Sequence, residues 1–511
     1  MSAIITDDFR KNNANAFVTA INTLATDSPI DTGTGYYLGI GKSDPWPDET
    51  SAPTPTGSEL ERQDVLQNLI SMKLIESSEV ERLLPKSNQD WATARKYKRY
   101  DTTDRTCFNQ TLSGGSITEY ACYVIHNSTL YLCLSNGGGV NSTVAPSSAV
   151  KNGGGVISVD GEVGENSADG YIWVKINEID VAGSAFKDSS TFFEIPADIT
   201  PPANSTQGLL YGFKIVSAGS GYTDDVHAAT LRYTQIDGTT ATATLYIRVE
   251  DTEVVEVIDV DSPTGGTLQL SNLVGFGVGA SNGVLRASID FNSTQTFLTQ
   301  CEIQPLIAPV EGFGSANLDV FPPYYVGIKT DFENTDGGET LIDTKFRQVS
   351  LIKNPLIDKL NDGSPGARPA AEFLFGTIDS LPHLTLTTLT SSTVDSGWYF
   401  EVTAGATTGQ KAWIDYIDSS SSPKKIYFHQ NSSSTVTQDA LPASGTITIY
   451  NSSGVSQETG RVYSAIVAPE HDDSPSLTQL DLSGEVIMLD NITPILRSAV
   501  QTEKVRIVLQ F

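Results

Sequence analysis

The stretches GFKIVSAGSGYTDD (212–225) and ATATLYIRVEDTEVVEVIDVDS (241–262) consist of β-forming residues broken by glycine turns. Long stretches rich in Thr, Ser, Val and Ile recur elsewhere in the chain. The composition agrees with this texture, since 43 glycines and 24 prolines against 3 methionines indicate many turns and few long helices. We therefore predict a mainly β protein, with a β-sandwich-like core and a few short helices near the N-terminus.

The length of the chain indicates several domains. A chain of 511 residues exceeds one ordinary hydrophobic core, so we expect three or four domains or lobes. Two regions of strand-and-turn texture, 203–300 and 366–464, resemble inserted β modules. The core would then be discontinuous, formed by 1–202 (two helices, then strands), 301–365 and 465–511. Because surface loops tolerate insertions, both modules would project from that core.

The first third of the chain gives the clearest predictions of individual elements. A helix is expected after Thr6, which can cap it, and a short buried strand over 35–41. An S-x-x-E capping box at Ser58 begins a second helix, which we expect to end near Met72. Residues 119–136 are typical of two strands joined at a tight turn.

The charge balance argues against nucleic acid as a partner. The chain has 32 basic and 61 acidic residues, a formal net charge of −29, and such a chain repels a phosphate backbone. The most basic stretch, 90–101, contains Arg95, Lys96 and Arg99 with tyrosines between them. Such interleaving occurs in nucleic-acid-binding patches, but in this acidic chain we favour a docking site for an acidic protein neighbour.

The sequence GIGKS at 39–43 resembles part of a phosphate-binding loop. The complete motif needs a glycine five residues before Gly41, where this chain has Tyr36. Asp44 and Pro45 would also interrupt the helix that must follow such a loop. The residue pattern therefore argues against a nucleotide site.

We interpret the same stretch as a strand that runs into a turn stiffened by proline. Pro45 and Pro47 restrict the backbone on either side of Trp46 and so present a large ring at low entropic cost. We expect this ring to pack inward on its own core rather than outward on a partner.

The sequence contains no pattern that predicts catalysis, so we expect neither an enzyme nor a bound cofactor or metal. Without an H-x-H or H-E-x-x-H pattern, we interpret the five histidines as separate surface or turn residues. These are His126, His227, His383, His429 and His471. Two alternatives stay open, namely a glycosidase pair of carboxylates from distant strands and calcium held by turn carboxylates.

The cysteines and the hydropathy indicate a chain made in a reducing compartment and not inserted in a membrane. Four cysteines without a C-x-x-C pattern are typical of isolated thiols in a reducing cytosol. We expect no signal peptide, because acids stand at the N-terminus where a basic region belongs. The sequence has no run of about 18 apolar residues, so it predicts no membrane-spanning helix.

Five segments, in order along the chain, are similar to one protein family. They are GIGKSDPWPDE (39–49), QDWATARKY (89–97), DGYIWVKINEI (169–179), DTKFRQVSLIKNPL (343–356) and GEVIMLDNITPILRSAVQTEKVRIVLQF (484–511). Together they resemble the gene-product-eight baseplate wedge subunit of T-even-type contractile-tail phages. The regions near 203–300 and 366–464 have no counterpart in this resemblance, which would make the chain longer than the usual family member.

The resemblance implies a structural role in the virion. It implies a homodimer in each baseplate wedge, contacts with other wedge proteins, a place around the tail hub and assembly in the host cytoplasm. It transfers no catalytic residue. The candidate structural or interface residues are Pro45, Trp46, Trp91, Arg95, Lys96, Arg99, Phe346 and Arg347.

An alternative is a carbohydrate-binding or carbohydrate-cleaving protein of a phage or cell surface. In that case aromatic side chains of the second module would stack on sugars. The candidates are Trp398, Tyr399, Trp413 and Tyr416.

Overall fold

The structure, a computed structural model, is mainly β. It describes residues 5–26, 35–146, 150–151, 155–156, 168–179, 186–187, 189–200, 207–258, 284–291, 297–322, 324–332, 344–355, 377–387, 389, 394–395, 397–404, 408–418, 423–430, 441–467, 484–496 and 502–511. Strands make up 52% and helices 11%, which confirms the predicted mainly β class.

The first two helices begin where the capping residues Thr6 and Ser58 predict, and the described helices number three. They are α1 (Asp7–Thr26), α2 (Glu59–Gln67) and α3 (Asn317–Val320), with 3₁₀ turns at Ser77–Glu79 and Arg105–Phe108. The Phe9 amide donates to Thr6 Oγ1 at 3.3 Å, and the Glu61 amide donates to Ser58 Oγ at 3.2 Å. Among the described residues, no helix is long and apolar enough to cross a membrane.

The strands run through the whole described chain. The first fourteen are β1 (Tyr36–Gly41), β2 (Leu69–Leu74), β3 (Val80–Pro85), β4 (Thr111–Ser113), β5 (Ser116–Glu119), β6 (Tyr123–His126), β7 (Thr129–Asn136), β8 (Val150–Lys151), β9 (Gly155–Val156), β10 (Tyr171–Glu178), β11 (Phe192–Glu194), β12 (Leu210–Ser217), β13 (Asp225–Gln235) and β14 (Thr240–Glu250). The others are β15 (Glu253–Ile258), β16 (Val284–Phe291), β17 (Glu302–Ile307), β18 (Tyr325–Phe332), β19 (Lys345–Lys353), β20 (Thr377–Asp379), β21 (His383–Leu386), β22 (Tyr399–Ala404), β23 (Lys411–Asp418), β24 (Lys424–His429), β25 (Gly445–Tyr450), β26 (Ser456–Val467), β27 (Glu485–Leu496) and β28 (Glu503–Gln510).

The predicted end of the second helix near Met72 is wrong. Helix α2 stops at Gln67, and the Asn68 amide donates to Asp64 O at 2.9 Å as its C-cap. The residues that follow form β2, which pairs with β1 on one side and β20 on the other. Pairing with distant strands, which no local pattern reports, therefore overrides the helical spacing of the apolar residues.

The chain divides into two compact units. Unit 1 comprises Met1–Asn15, Glu81–Val326 and Gln510–Phe511, and unit 2 comprises Ala16–Val80 and Gly327–Leu509. The finer boundaries expected at 203–300 and 366–464 stay a prediction.

Unit 1 contains several small antiparallel sheets around one large apolar core. Strands β10, β7 and β6 form a sheet in that order, and β15, β14, β13 and β16 form another. Strand β11 pairs with β3, and β12 pairs with β17. The predicted hairpin is confirmed, since β6 and β7 are joined through Asn127 and Ser128 with φ of 50° and 58°. Buried rings, including Tyr100, Phe108 and Phe313, fill the core.

Unit 2 contains a five-stranded antiparallel sheet and a closed six-stranded barrel. The sheet order is β20-β2-β1-β19-β27, and the barrel order is β21-β24-β23-β22-β25-β26. The barrel interior is filled by side chains such as Phe400, Ile414 and Ile447, all 0% exposed. At the end of β1, a Cβ on Gly41 would lie 2.6 Å from the Asn68 backbone oxygen, so this close approach requires glycine.

Candidate functional site

The loop that follows β1 is fixed by one buried guanidinium from β19. Arg347 is 4% exposed, and its Nε lies 3.0 and 3.1 Å from the two carboxylate oxygens of Glu49. Its Nη1 donates to the backbone oxygen of Ser43. The neighbouring candidate, Phe346, is 2% exposed and stands opposite Ile495 in the sheet. Both candidates of β19 thus lie inside unit 2 rather than on its surface.

The same loop contacts the barrel through a group that we call the His429 cluster, formed by Ser43, Asp44, Asp415 and His429. His429 Nδ1 lies 2.9 and 2.8 Å from the two oxygens of Asp415, and Ser43 Oγ donates to that carboxylate. His429 Nε2 lies 3.2 Å from Asp44 Oδ2. One imidazole therefore joins a barrel strand to the loop after β1.

The charges of the His429 cluster stabilise one another. Burial disfavours the imidazolium of His429, but Asp415 and Asp44 outweigh this effect and raise its pKa to about 10. Burial would raise the pKa of Asp44, but His429 and Lys42 outweigh it and lower that pKa to about 2. At neutral pH the cluster holds a buried imidazolium between two carboxylates.

This geometry differs from a catalytic triad. In a triad the serine hydroxyl donates to the histidine, and the neutral imidazole accepts the proton. Here Ser43 Oγ donates to Asp415, and both imidazole nitrogens face carboxylates. A protonated imidazole with a pKa near 10 is not a base at neutral pH. The arrangement supports a structural role, in which the cluster joins the barrel to the loop after β1, rather than nucleophilic chemistry.

The interpretation of His429 as a separate surface or turn residue is wrong. His429 and Asp415 are each 1% exposed. Asp415 reaches the cluster because the pairing of β23 with β24 shifts register between Ile414 and Tyr416. No sequence signal marks this shift, and Asp44 lies far away in the chain.

Trp46 is half-buried at the edge of a polar pocket in unit 2. Its Nε1 donates to Ile492 O at 3.0 Å, and Lys42 Nζ lies 5.8 Å from its ring centroid. Pro45, beside it, is exposed. The pocket, about 260 Å³, is lined by Lys42, Trp46, Pro53, Thr54, Thr56, Glu61, Asp64, Asn68, Gln348 and Asn491. The predicted inward packing of Trp46 stays a prediction, since the ring has one hydrogen bond to its own unit and one side at an open pocket.

The basic stretch of unit 1 lies along a wider depression that we call the Lys96 groove. It measures about 610 Å³ and is lined by Lys96, Lys98, Arg99, Asp101, Asp104, Thr106, Cys107, Thr111, Glu119, Asn136, Gly138 and Gly139. Its lining contains both cations and carboxylates. The sequence predicted the basic character of this stretch, but Glu119, which lies opposite Lys96, comes from another strand.

Each cation of the Lys96 groove has a partner within unit 1. Lys96 Nζ lies 2.8 Å from Glu119 Oε1, and Lys98 Nζ donates to Thr106 O at 3.1 Å. Arg99 donates to Phe213 O at 3.3 Å. The hydrogen bond from Lys96 lowers the pKa of Glu119 below its ordinary value. The stretch is therefore a mixed-charge surface, and its role as a docking site for an acidic protein stays a prediction.

The aromatic residues of this stretch belong to the core. Tyr97 is 0% exposed, with its ring centroid 5.6 Å from Trp173 and 6.3 Å from Tyr171. Trp91 packs against this cluster and donates to Ser142 Oγ at 3.2 Å. Arg95 lies 4.5 Å over the ring of Tyr120 and donates to backbone oxygens of the preceding turn. The rings thus stabilise unit 1 and are not available to stack on nucleic acid bases.

Comparison with models of protein families and with curated proteins finds no match to this chain. Within the described residues, no group of three or more His, Cys, Asp or Glu side chains has an arrangement that could hold a metal ion.

Proposed function

We propose that this protein is a structural component of a contractile phage tail, a baseplate wedge subunit that joins neighbouring wedge proteins around the tail hub. In this proposal the chain acts as a homodimer, performs no catalysis and is carried in the virion after assembly in the host cytoplasm. The proposal rests on the five segments that resemble the wedge subunit family.

The observation that best supports the proposal is that segments far apart in the sequence meet in space. Residues 39–49, 343–356 and 484–511 contribute β1, β19 and β27, which are adjacent strands of one sheet. Ser350 of β19, for example, pairs with Gly39 of β1 and with Leu489 of β27. Parts of these three segments therefore lie side by side in one sheet of unit 2, whereas the last strand of 484–511, β28, belongs to another sheet.

The two remaining segments behave in the same way in unit 1. Residues 89–97 and 169–179 meet in the aromatic cluster of Tyr97, Tyr171 and Trp173. Strand β10, within 169–179, pairs with β7. A resemblance that follows two buried cores supports a shared fold, and a shared structural role follows from that fold only as a proposal.

The aromatic residues of the barrel favour the structural role over carbohydrate binding. A sugar platform needs ring faces open to the ligand. Tyr399 and Tyr450 stack on each other with ring centroids 4.9 Å apart, and Lys411 Nζ lies 5.1 Å from the centroid of Tyr399. Trp413 stacks on His429 at 6.1 Å. These ring faces are used within the barrel.

Localisation in phage particles tests the proposal. We expect gold-labelled antibodies raised against the full chain to mark the baseplate end of particles that carry this protein, with pre-immune serum as the control. Label on the capsid or the fibres, or a chain found only in the host lysate, would contradict a wedge role. Sedimentation of the purified chain is expected to give twice the 54.7 kDa monomer mass.

A further inference from the structure

Two of the four cysteines lie side by side at the wall of the Lys96 groove. Cys107 is 5% exposed and Cys122 is 0% exposed, and their sulfur atoms are 3.6 Å apart. The Cys122 amide donates to the Cys107 carbonyl at 2.9 Å. This backbone bond holds the two residues against each other. Together with the short distance between the sulfur atoms, it brings the pair near the geometry that a disulfide requires.

We propose that Cys107 and Cys122 are a redox-active thiol pair, which small organic disulfides oxidise through the Lys96 groove to an intramolecular disulfide. The inference does not depend on the baseplate role. It also departs from the sequence-based interpretation of the cysteines as isolated thiols.

The groove supplies the route to the first sulfur. Cys107 is one of its lining residues, whereas Cys122 lies behind it, fully enclosed. A volume of about 610 Å³ is within the range of sites that hold small molecules. Lys98 and Arg99 line the same groove together with Asp101, Asp104 and Glu119, so the groove presents charges of both signs to the carboxylate and ammonium groups of glutathione disulfide.

The surroundings assign different roles to the two thiols. The Cys122 thiol donates to Cys107 Sγ, and this hydrogen bond lowers the pKa of Cys107. Burial raises the pKa of Cys122 well above its ordinary value. Because the thiolate is the nucleophile, Cys107 attacks first and Cys122 resolves.

The exchange is balanced in two steps. The Cys107 thiol loses its proton to water, and the thiolate attacks one sulfur of glutathione disulfide, which breaks that S–S bond, forms a mixed disulfide and releases one glutathione thiolate. Cys122 then loses its proton to that thiolate and attacks Cys107 Sγ, which releases the second glutathione as a thiolate that takes a proton from water. In total, two protein thiols are oxidised to one disulfide and one glutathione disulfide is reduced to two glutathione molecules.

The third buried thiol provides a matched control. Cys133 lies close in the fold, since its amide donates to Cys122 O at 2.7 Å. Its sulfur, however, is 3.1 Å from the backbone oxygen of Ser135, and so has a different partner. Cys133→Ser is therefore expected to leave the oxidation of the pair unchanged.

Peptide mapping of the native full chain tests the proposal. After incubation with glutathione disulfide, we expect mass spectrometry without reductant to recover a peptide pair linked through Cys107 and Cys122, lost on treatment with dithiothreitol. A sample unfolded in urea before oxidation verifies that the oxidant is active. Native chain whose Cys107 and Cys122 stay reduced, or pair with other cysteines, would overturn the proposal.

Two variants test the order of attack. In Cys122→Ser, the mixed disulfide at Cys107 is expected to accumulate because the resolving thiol is missing. In Cys107→Ser, Cys122 is expected to stay unmodified because it has no access to the groove. Modification of Cys122 in the second variant at the rate of Cys107 in the first would show that the assigned roles are wrong.

Discussion

The His429 cluster and the Lys96 groove use the same chemical groups in opposite surroundings. Both set basic side chains against carboxylates, but His429 and Asp415 are each 1% exposed, whereas the side chains of Lys96 and Glu119 are 35% and 32% exposed. The buried cluster raises the pKa of His429 to about 10 and lowers that of Asp44 to about 2. The exposed groove only lowers the pKa of Glu119 below its ordinary value.

This difference in burial indicates how much each site contributes to the stability of the fold. Buried charges depend on every partner, since removal of one leaves another without compensation in a poorly solvated place. Exposed pairs are screened by water and salt and contribute little to stability, so they remain available for contacts with other molecules. We infer that the His429 cluster fixes the barrel to the loop after β1, while the ion pairs of the Lys96 groove contribute little to the stability of unit 1.

The largest effect is expected from Asp415→Ala. This change removes a partner from the buried imidazolium of His429 and the acceptor of Ser43 Oγ. Breaking a buried ion pair from one side costs about 3–5 kcal/mol, so we expect the free energy of unfolding to fall by that amount. Urea unfolding followed by tryptophan fluorescence measures it, since Trp398 and Trp413 report on the barrel.

Glu401→Ala is the matched control in the same barrel. Glu401 pairs with Lys411 at 3.8 Å, and its side chain is 29% exposed. Removal of such a partly exposed pair is expected to cost less than about 1 kcal/mol. Equal losses in the two variants would contradict the idea that burial distinguishes the clusters.

Alkaline pH is expected to lower the free energy of unfolding by a smaller amount, through the loss of one proton from His429. The pKa of His429 rises from an ordinary 6.5 to about 10, so its stabilisation is complete below pH 6.5 and is lost as pH rises toward 10. The slope cannot exceed about 1.4 kcal/mol per pH unit for one proton. Asp44 acts at the other end, since its stabilisation is complete above pH 3.8 and is lost as pH falls toward 2.

The effect of His429 on stability at alkaline pH can be separated from the effect of Glu79, another buried acid of unit 2. Burial raises the pKa of Glu79 from 4.5 to about 7, so its contribution is lost between these values and is constant above them. Buried cysteines and tyrosines such as Cys122 and Tyr463 also have raised pKa values, from ordinary values of 9.0 and 10.0, and lose stability only as the pH passes those ordinary values. Unfolding measured from pH 7.5 to about 8.5 therefore reports on the histidine. His429→Gln is expected to abolish the slope in that range, and a slope that persists in this variant would assign the alkaline loss to other groups.

Local chemistry explains which elements the sequence predicted. The start of α1, the cap at Ser58 and the turn at Asn127 and Ser128 each depend on a few neighbouring residues, and each was predicted correctly. The region after α2 was not, because β2 forms by pairing with strands that are distant in sequence. Secondary-structure propensity is a weak predictor where pairing between distant strands determines the structure.

The candidate sites show the same limit. The roles of Arg347 and Trp46 depend on partners such as Glu49 and Ile492, separated from them by hundreds of residues. The cations of the Lys96 groove were visible in the sequence, but the carboxylate of Glu119 opposite Lys96 was not. A sequence reports which charges exist, and the fold decides which of them are neutralised.

The smallest effect is expected from Lys96→Ala. The ion pair with Glu119 at 2.8 Å is partly exposed, so its loss is expected to cost less than about 1 kcal/mol, and less still at high salt. The local effect is clearer than the global one. Because the hydrogen bond from Lys96 is the main cause of the lowered pKa of Glu119, that pKa is expected to rise toward its ordinary 4.5, as measured by NMR titration.

Lys98→Ala provides the comparison within the same groove. Lys98 donates to the backbone oxygen of Thr106 at 3.1 Å and acts on Glu119 only through its charge. Its removal is therefore expected to shift the pKa of Glu119 less than Lys96→Ala does. A loss of unfolding free energy in Lys96→Ala as large as in Asp415→Ala would contradict this comparison, because the partly exposed pair would then stabilise the fold as much as the buried cluster does.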